Sequence, residues 1–208
     1  MKLKLYRLLY TLYIKSRLLF LWSKFYQLLF QRKYKKYKLS PYCDKTKLED
    51  LSYIMRKVSW SKDEFKELGD SISSPHWFQY LLDTVMSGLD QPEGAVDCDD
   101  FANWTVNILD RTYPVKMLCV SWIDGKKVSG HAVAVVYNGQ DKYYHLGNWG
   151  TKGPFLSFSA IIDSIVPKDK VYVGSYMLNK DLKLKAVYAG DDKETIERVF
   201  TKAMFGEQ

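Results

Sequence analysis

The first 43 residues contain no acidic side chain, and neither glycine nor proline occurs before Pro41. The same stretch carries 11 lysines and arginines, so its charge is of one sign. Cysteine is scarce: Cys43, Cys98 and Cys119 are the full set. Three thiols cannot build a disulfide framework. An odd, sparse count fits a reducing, cytoplasm-like compartment, or one thiol with a chemical task. Long apolar runs are also missing. Those at 8–14 and 18–22 are bounded by Lys15, Arg17 and Lys24. A spanning helix needs roughly 18 uncharged apolar residues, so no membrane span is expected. No small-residue cleavage site follows these runs, so no cleavable signal peptide is expected either.

What is present bounds the fold class. A chain of 208 residues fits one domain with an appendage and can bury a core without staples. A 47% hydrophobic and 15% aromatic composition excludes a largely disordered chain. The net charge of +7 is an average of two unlike parts. Beyond residue 43 there are 20 basic and 24 acidic residues, a net of −4. The reading is therefore a basic arm, 1–42, and a mildly acidic body, 43–208.

The arm favours helix, since Leu, Lys, Arg and Tyr dominate it. Lys4, Arg7, Thr11 and Lys15 share one stripe at helical spacing, whereas Arg17, Lys24 and Gln31 share another on the opposite side. The polar face thus switches near Ser16. Two short amphipathic helices, one helix among partner chains, and a helix packed on its own domain all remain open. Expected partners of the arm are other protein chains or an anionic membrane surface. Nucleic-acid binding is disfavoured, because Leu interleaves the basic residues and no binding motif accompanies them. The stretch 32–38 reads as a linker or basic patch.

In the body, 47–57 and 61–68 read as short helices, the second opening on a Ser61–Glu64 capping pattern. Ser74-Pro75 opens a helix expected to run to about 89. Gln91-Pro92-Glu93-Gly94 is a loop. A helix starts at Cys98 with Asp97 as N-cap, and Phe101, Trp104, Thr105, Ile108 and Leu109 fall on one face. Strands are expected at 115–123, 131–137, 143–148, 171–178 and 182–188, with a hairpin turn at Asp124-Gly125. Helices are expected at 158–166 and 195–204. Helices first and a mostly antiparallel sheet after them make an α+β domain.

Cys98 sits at a helix start, where exposed N–H groups and the dipole favour a thiolate. The neighbouring Asp97, Asp99 and Asp100 oppose it, so a cationic imidazole would have to compensate. His131 begins a strand of small and β-branched residues. A two-residue turn at Gly139-Gln140 would set His131 directly opposite Asn148, whereas a turn centred on Asn138-Gly139 would oppose it to Leu146. Both registers put His131 and Asn148 on one face. An asparagine there can accept the ring N–H and fix the tautomer of a base that later acts as an acid.

Asp97-Cys98-Asp99-Asp100-Phe101-Ala102 followed by Gly130-His131-Ala132-Val133 resembles the bacterial transglutaminase-like cysteine proteinases. His131-Ala132-Val133 through Leu146-Gly147-Asn148-Trp149-Gly150-Thr151 resembles the His and Asn-Ser-Trp-Gly blocks of papain-type peptidases. The resemblance implies a papain-like, transglutaminase-like core in which a Cys-bearing helix packs on an antiparallel sheet. It implies Cys98 as nucleophile, His131 as general base and acid, and Asn148 as orienter. Trp149 resembles the indole that shields the His–Asn hydrogen bond. Gln91 is the weak match to the oxyanion glutamine, and the Cys98 N–H is a further donor. The chain departs from the pattern in two places: Val96 stands where the family has Gly, and Gly147 or Asn148 where transglutaminase-like members carry Asp.

Other readings of these residues are bland. Cys119 reads as core, Cys43 as inert, His76 as a helix residue, and His145 as facing away from Asn148. No Cys or His pair has zinc-ligand spacing, and Gly147 to Gly153 lacks a phosphate-loop order, so no metal or cofactor is expected. The function expected is a cysteine hydrolase acting on a peptide, isopeptide or related amide, with acyl transfer to an amine left open. The alternative is a non-catalytic module held to a larger assembly or membrane surface by the arm.

Overall fold

The computed structural model describes residues 2–60, 71–92 and 96–206. The expected helix at 61–68 and the end of the loop at Glu93-Gly94 lie outside the described residues. Helices α1 (Lys2–Ser16) and α2 (Leu18–Phe30) precede a 3-10 helix over Arg32–Lys36. Helices α3 (Leu48–Met55), α4 (Pro75–Met86) and α5 (Cys98–Leu109) follow. Then come strands β1 (Val115–Asp124), β2 (Lys127–Tyr137), β3 (Tyr143–Gly147) and β4 (Gly150–Phe155). Helix α6 (Phe158–Ile165), strands β5 (Val171–Leu178) and β6 (Leu184–Tyr188), and helix α7 (Lys193–Phe205) complete the α+β fold.

The helix starts have legible causes. Ser74 caps α4 by accepting the His76 N–H at 3.3 Å, and Pro75 supplies a first-turn residue with no N–H to satisfy. Asp97 caps α5 through the Asp99 N–H at 3.1 Å, and Asp100 returns a carboxylate oxygen to the Asp97 N–H at 3.4 Å. Asp192 caps α7 through the Thr195 N–H at 2.8 Å.

The strands form one antiparallel sheet in the order β4-β3-β2-β1-β5-β6. Both faces are covered, which explains why His131 to Val136 in β2 are all buried. On one face Met117, Cys119, Ala132, Ala134 and Leu146 share a core with Phe78, Phe101 and Trp104 of α4 and α5. On the other, Leu118, Val120, Val133 and Val135 pack with Phe158, Ile161 and Phe200 of α6 and α7. Alternation along each strand sends successive side chains to the two layers.

The described part of the expected arm, residues 2–42, packs on this body. Ile14 and Phe20 enter the first core, and the Phe20 and Tyr10 rings pack on Tyr176. Gln79 holds the chain after the 3-10 helix: its Oε1 accepts both the Ser40 N–H at 2.8 Å and the Trp104 Nε1–H at 3.0 Å. The switch of polar face near Ser16 has a backbone cause. Arg17 is left-handed, with φ 61°, and breaks the arm into two helices. Strand β4 is not among the expected strands; it pairs with β3 through Gly147↔Gly150 and Leu146↔Thr151.

The register of β2 on β3 corrects the sequence reading. Ala134 pairs with Leu146, Val135 with His145, and Tyr137 with Tyr143. Neither two-residue turn forms. Asn138 N–H instead donates to the Lys142 carbonyl at 3.1 Å, closing a loop that holds left-handed Gly139 (φ 83°) and Asp141 (φ 53°). One more loop residue inverts the parity. This register puts His131 on the face shared by Val135 and His145, and the ladder ends at Ala134↔Leu146, before Asn148 and Trp149.

Candidate active site

The site lies where β3 ends and the N-terminus of α5 meets β2. Cys98 is the first residue of α5, half-buried and in no disulfide. Its Sγ accepts the backbone N–H of Ala132 at 3.4 Å. The β2–β3 pairing reaches Ala134↔Leu146, and beyond it the sulfur takes up the Ala132 N–H. This contact sets Cys98 against the residue that follows His131.

His131 is 6% exposed, and its ring lies flat on Trp149, with centroids 3.8 Å apart and planes at 12°. Trp149 reaches the ring from the turn between Gly147 and Gly150. Trp149 is 53% exposed, so it is a lid on the imidazole rather than a core residue. Lys152 Nζ lies 5.5 Å from the indole centroid. Burial pushes the His131 ring down to about 4, and the nearby His145 and Lys152 charges act in the same direction. The imidazole is therefore neutral at pH 7.

Behind the ring stands Gly147. A Cβ there would lie 3.5 Å from His131 Nε2 and 3.3 Å from Val133 Cγ1. The second distance is tight and the first is ordinary contact, so the ring lies directly against this position of β3. Among the described residues, His131 Nε2 has no hydrogen-bond partner, and neither does Asn148 Oδ1; both atoms are buried. Asn148 occupies the turn between Gly147 and Gly150. The expectation that it faces His131 across the ladder does not hold, because the loop at 138–142 shifts the register.

Gln91 is occupied elsewhere. Its Oε1 accepts the Ser59 N–H at 2.6 Å and its Nε2 donates to the Ser59 carbonyl at 3.2 Å. That pairing ties two loops together and leaves the oxyanion role without a geometric basis. His145 lies on the same sheet face as His131, stacked on Phe155 at 5.4 Å with its Nε2 3.1 Å from Ser164 Oγ. Burial depresses it to about 4, with Lys152 adding to the effect. Cys119 is buried core, as expected from its apolar neighbours. Cys43 is half-buried and its thiol is pushed up by burial, with Asp50 and Asp44 adding to it.

One grouping escaped the sequence reading. Asp97, Asp99 and Asp100 are all buried and offer oxygens within 4.8 Å of one another, a set with the donor chemistry for a hard cation. Spacing alone treats Asp99 and Asp100 as neighbours pointing about 100° apart. The capping box is the missing signal, because it folds Asp97 back over the first turn. Asp100 Oδ1 also accepts the Ser73 N–H at 2.7 Å, so the acids fasten the segment before α4 to the start of α5.

No protein-family model matches the chain, and no curated protein matches it in sequence. Among solved structures it is similar to Legionella pneumophila LapG, at 18% identity and a TM-score of 0.38, over 82% of this chain and 80% of that one. EGTA-treated Legionella pneumophila LapG gives 15% identity and a TM-score of 0.34, over 82% of each chain. The candidate site is thus defined by its own geometry: a helix-start cysteine hydrogen-bonded to the β2 backbone at Ala132, and one residue earlier in β2 a buried imidazole under an indole lid.

Proposed function

We propose that the chain is a cysteine hydrolase acting on a peptide, isopeptide or related amide, with Cys98 as nucleophile and His131 as base and acid. The observation that carries this reading is the Ala132 N–H to Cys98 Sγ contact, which ties a half-buried thiol to the backbone of the residue after His131. The resemblance of the Cys, His and Trp blocks to transglutaminase-like and papain-type peptidases supports the same roles.

In this reading Cys98 attacks the carbonyl carbon as its thiol proton passes to His131. The tetrahedral intermediate collapses, the C–N bond breaks, and His131 returns the proton to the leaving amine. Water then attacks the thioester, releasing the carboxylic acid and restoring the thiol. The helix N-terminus at Cys98 supplies backbone donors for the oxyanion. Because His131 is neutral at rest, the thiol proton moves as the substrate reacts; a standing ion pair is disfavoured. Asn148 is the proposed orienter. Its Oδ1 and the Nε2 of His131 are both buried without a hydrogen-bond partner among the described residues, and pairing them during turnover would satisfy both.

The test is electrophile labelling with activity. Wild type should be alkylated by iodoacetamide at Cys98 and should cleave members of a fluorogenic amide library, and Cys98→Ala should lose both. Equal labelling of the two proteins would sink the nucleophile assignment.

A second reading is a non-catalytic module. The observation favouring it is Gly147, which presents no side chain where a partner for His131 Nε2 would sit. Wild type that labels at Cys98 no faster than a free thiol, and cleaves no amide, would favour the module.

A further inference from the structure

The two arm helices each carry two apolar faces. In α1, Tyr10 and Ile14 pack on the body, and Arg7 reaches Asp191 at 3.3 Å. Leu5, Leu8, Leu9 and Leu12 recur at helical spacing on the opposite side, and all are more than half exposed. In α2, Leu19, Phe20 and Ser23 face the body, and Ser23 Oγ accepts the Ile72 N–H at 3.1 Å. The opposite side carries Leu18, Leu21, Trp22, Phe25, Leu28 and Leu29, with exposures from 45 to 64%. A polar face would satisfy solvent. Two successive helices that put leucine there mark an interaction surface.

Charge selects the occupant. No acid lies within the first 43 residues, and the exposed 3-10 segment adds Arg32, Lys33, Lys35 and Lys36 directly after α2. The body adds cations at the break between the helices. There Lys15 and Arg17 line a wide, shallow basin of about 1040 Å³ together with Lys116, Lys180, Lys185 and Lys202. Asp110, paired with Lys180 at 2.6 Å, is the acid in its lining. A body of net −4 thus turns a basic edge toward the arm. A surface that is apolar in its middle and cationic at its margins matches a bilayer interface of anionic headgroups over acyl chains. Among the described residues, no helix is long and apolar enough to cross a membrane.

We propose that α1 and α2 dock the protein on an anionic membrane surface. The leucine faces enter the headgroup–acyl boundary, and Lys15, Arg17 and the 3-10 segment contact the headgroups. The switch of polar face, which would defeat a single continuous helix, is accommodated by the left-handed Arg17. Each helix can then turn its own leucine face outward.

Flotation of the full chain with vesicles tests this. Vesicles of 30% phosphatidylglycerol in phosphatidylcholine should bind the chain at 50 mM NaCl. Pure phosphatidylcholine should bind at least tenfold more weakly, and 500 mM NaCl should weaken the anionic binding. The variant Leu8→Ser, Leu12→Ser, Leu21→Ser, Phe25→Ser changes only exposed positions, and should keep the wild-type circular dichroism while losing flotation. No binding to the anionic vesicles at 50 mM NaCl overturns the proposal. So does undiminished binding by the variant, which would reduce the contact to charge alone. A wild-type dimer in sedimentation velocity that the variant converts to monomer, without vesicle binding, would reassign the face to a second copy of the chain.

Discussion

Trp149 covers the His131 imidazole at 3.8 Å with the rings nearly parallel, while itself remaining half exposed. The indole is therefore the layer between the imidazole and solvent. Replacing it by alanine should hydrate the ring and return its titration toward the ordinary histidine value near 6.5. In Trp149→Ala the His131 ring protons, followed by NMR, should titrate at least one unit higher than in wild type. Unfolding free energy should fall by only about 1 kcal/mol, since the stacked pair is partly exposed. An unmoved titration would mean that the lid does not control access to the ring.

Acid should destabilise the fold through both buried imidazoles. His131 and His145 titrate at about 4 in the folded chain, against roughly 6.5 unfolded. Between those values the unfolded chain binds more protons, so stability rises with pH across the window and is fully restored above it. The loss at pH 5 should be about 2 kcal/mol per histidine, and it approaches its limit below pH 4. Urea midpoints at pH 7.5 and 5.0 measure it, and His145→Gln should roughly halve the difference.

Gly147 is a packing position against the site. Gly147→Ala places a methyl 3.3 Å from Val133 Cγ1 and 3.5 Å from His131 Nε2. Val133 must give by a few tenths of an ångström and the methyl fills the space beside the imidazole, which should cost about 1 kcal/mol by overpacking. Cys98 alkylation, if His131 assists it, should slow in parallel. A variant with wild-type stability and labelling would show the space to be slack.

The capping box of α5 carries measurable stability. Asp97→Ala removes the acceptor for the Asp99 N–H and should cost about 1 kcal/mol. Asp100→Ala strands the buried Ser73 N–H as well as the Asp97 N–H, and should cost more, roughly 2 kcal/mol. Chemical denaturation of the two variants gives the order directly. The reverse order would mean that the Ser73 contact contributes little.

Asn148 separates the catalytic reading from the module reading. If Asn148 orients His131 during turnover, Asn148→Ala should reduce kcat more than KM, and Asn148→Asp should retain part of the rate. An Asn148→Ala protein as active as wild type would remove the third member of the proposed triad.

Local features were legible in the sequence. Caps at Ser74 and Asp97, the placement of Cys98 at a helix start, and the change of face near Ser16 each depend on residues within a few positions of one another. Short-range hydrogen bonds and helical periodicity fix them without help from the rest of the chain. The β2–β3 register was not legible. It depends on whether 138–142 closes as a two-residue turn or a longer loop, alternatives close in energy for a sequence containing Asn-Gly. Buried faces on both sides of the sheet decided it, seating Val133 and Val135 in one core and Ala134 and Leu146 in the other. That single-residue shift removed the cross-strand pairing of His131 with Asn148, and Trp149 stacks on the ring from the turn. The sequence by itself determined the caps that start α4 and α5 and the place of Cys98 at the second of them. Only the packing of two layers against one sheet decided which side chains meet, because side-chain alternation in a strand inverts with each residue of register.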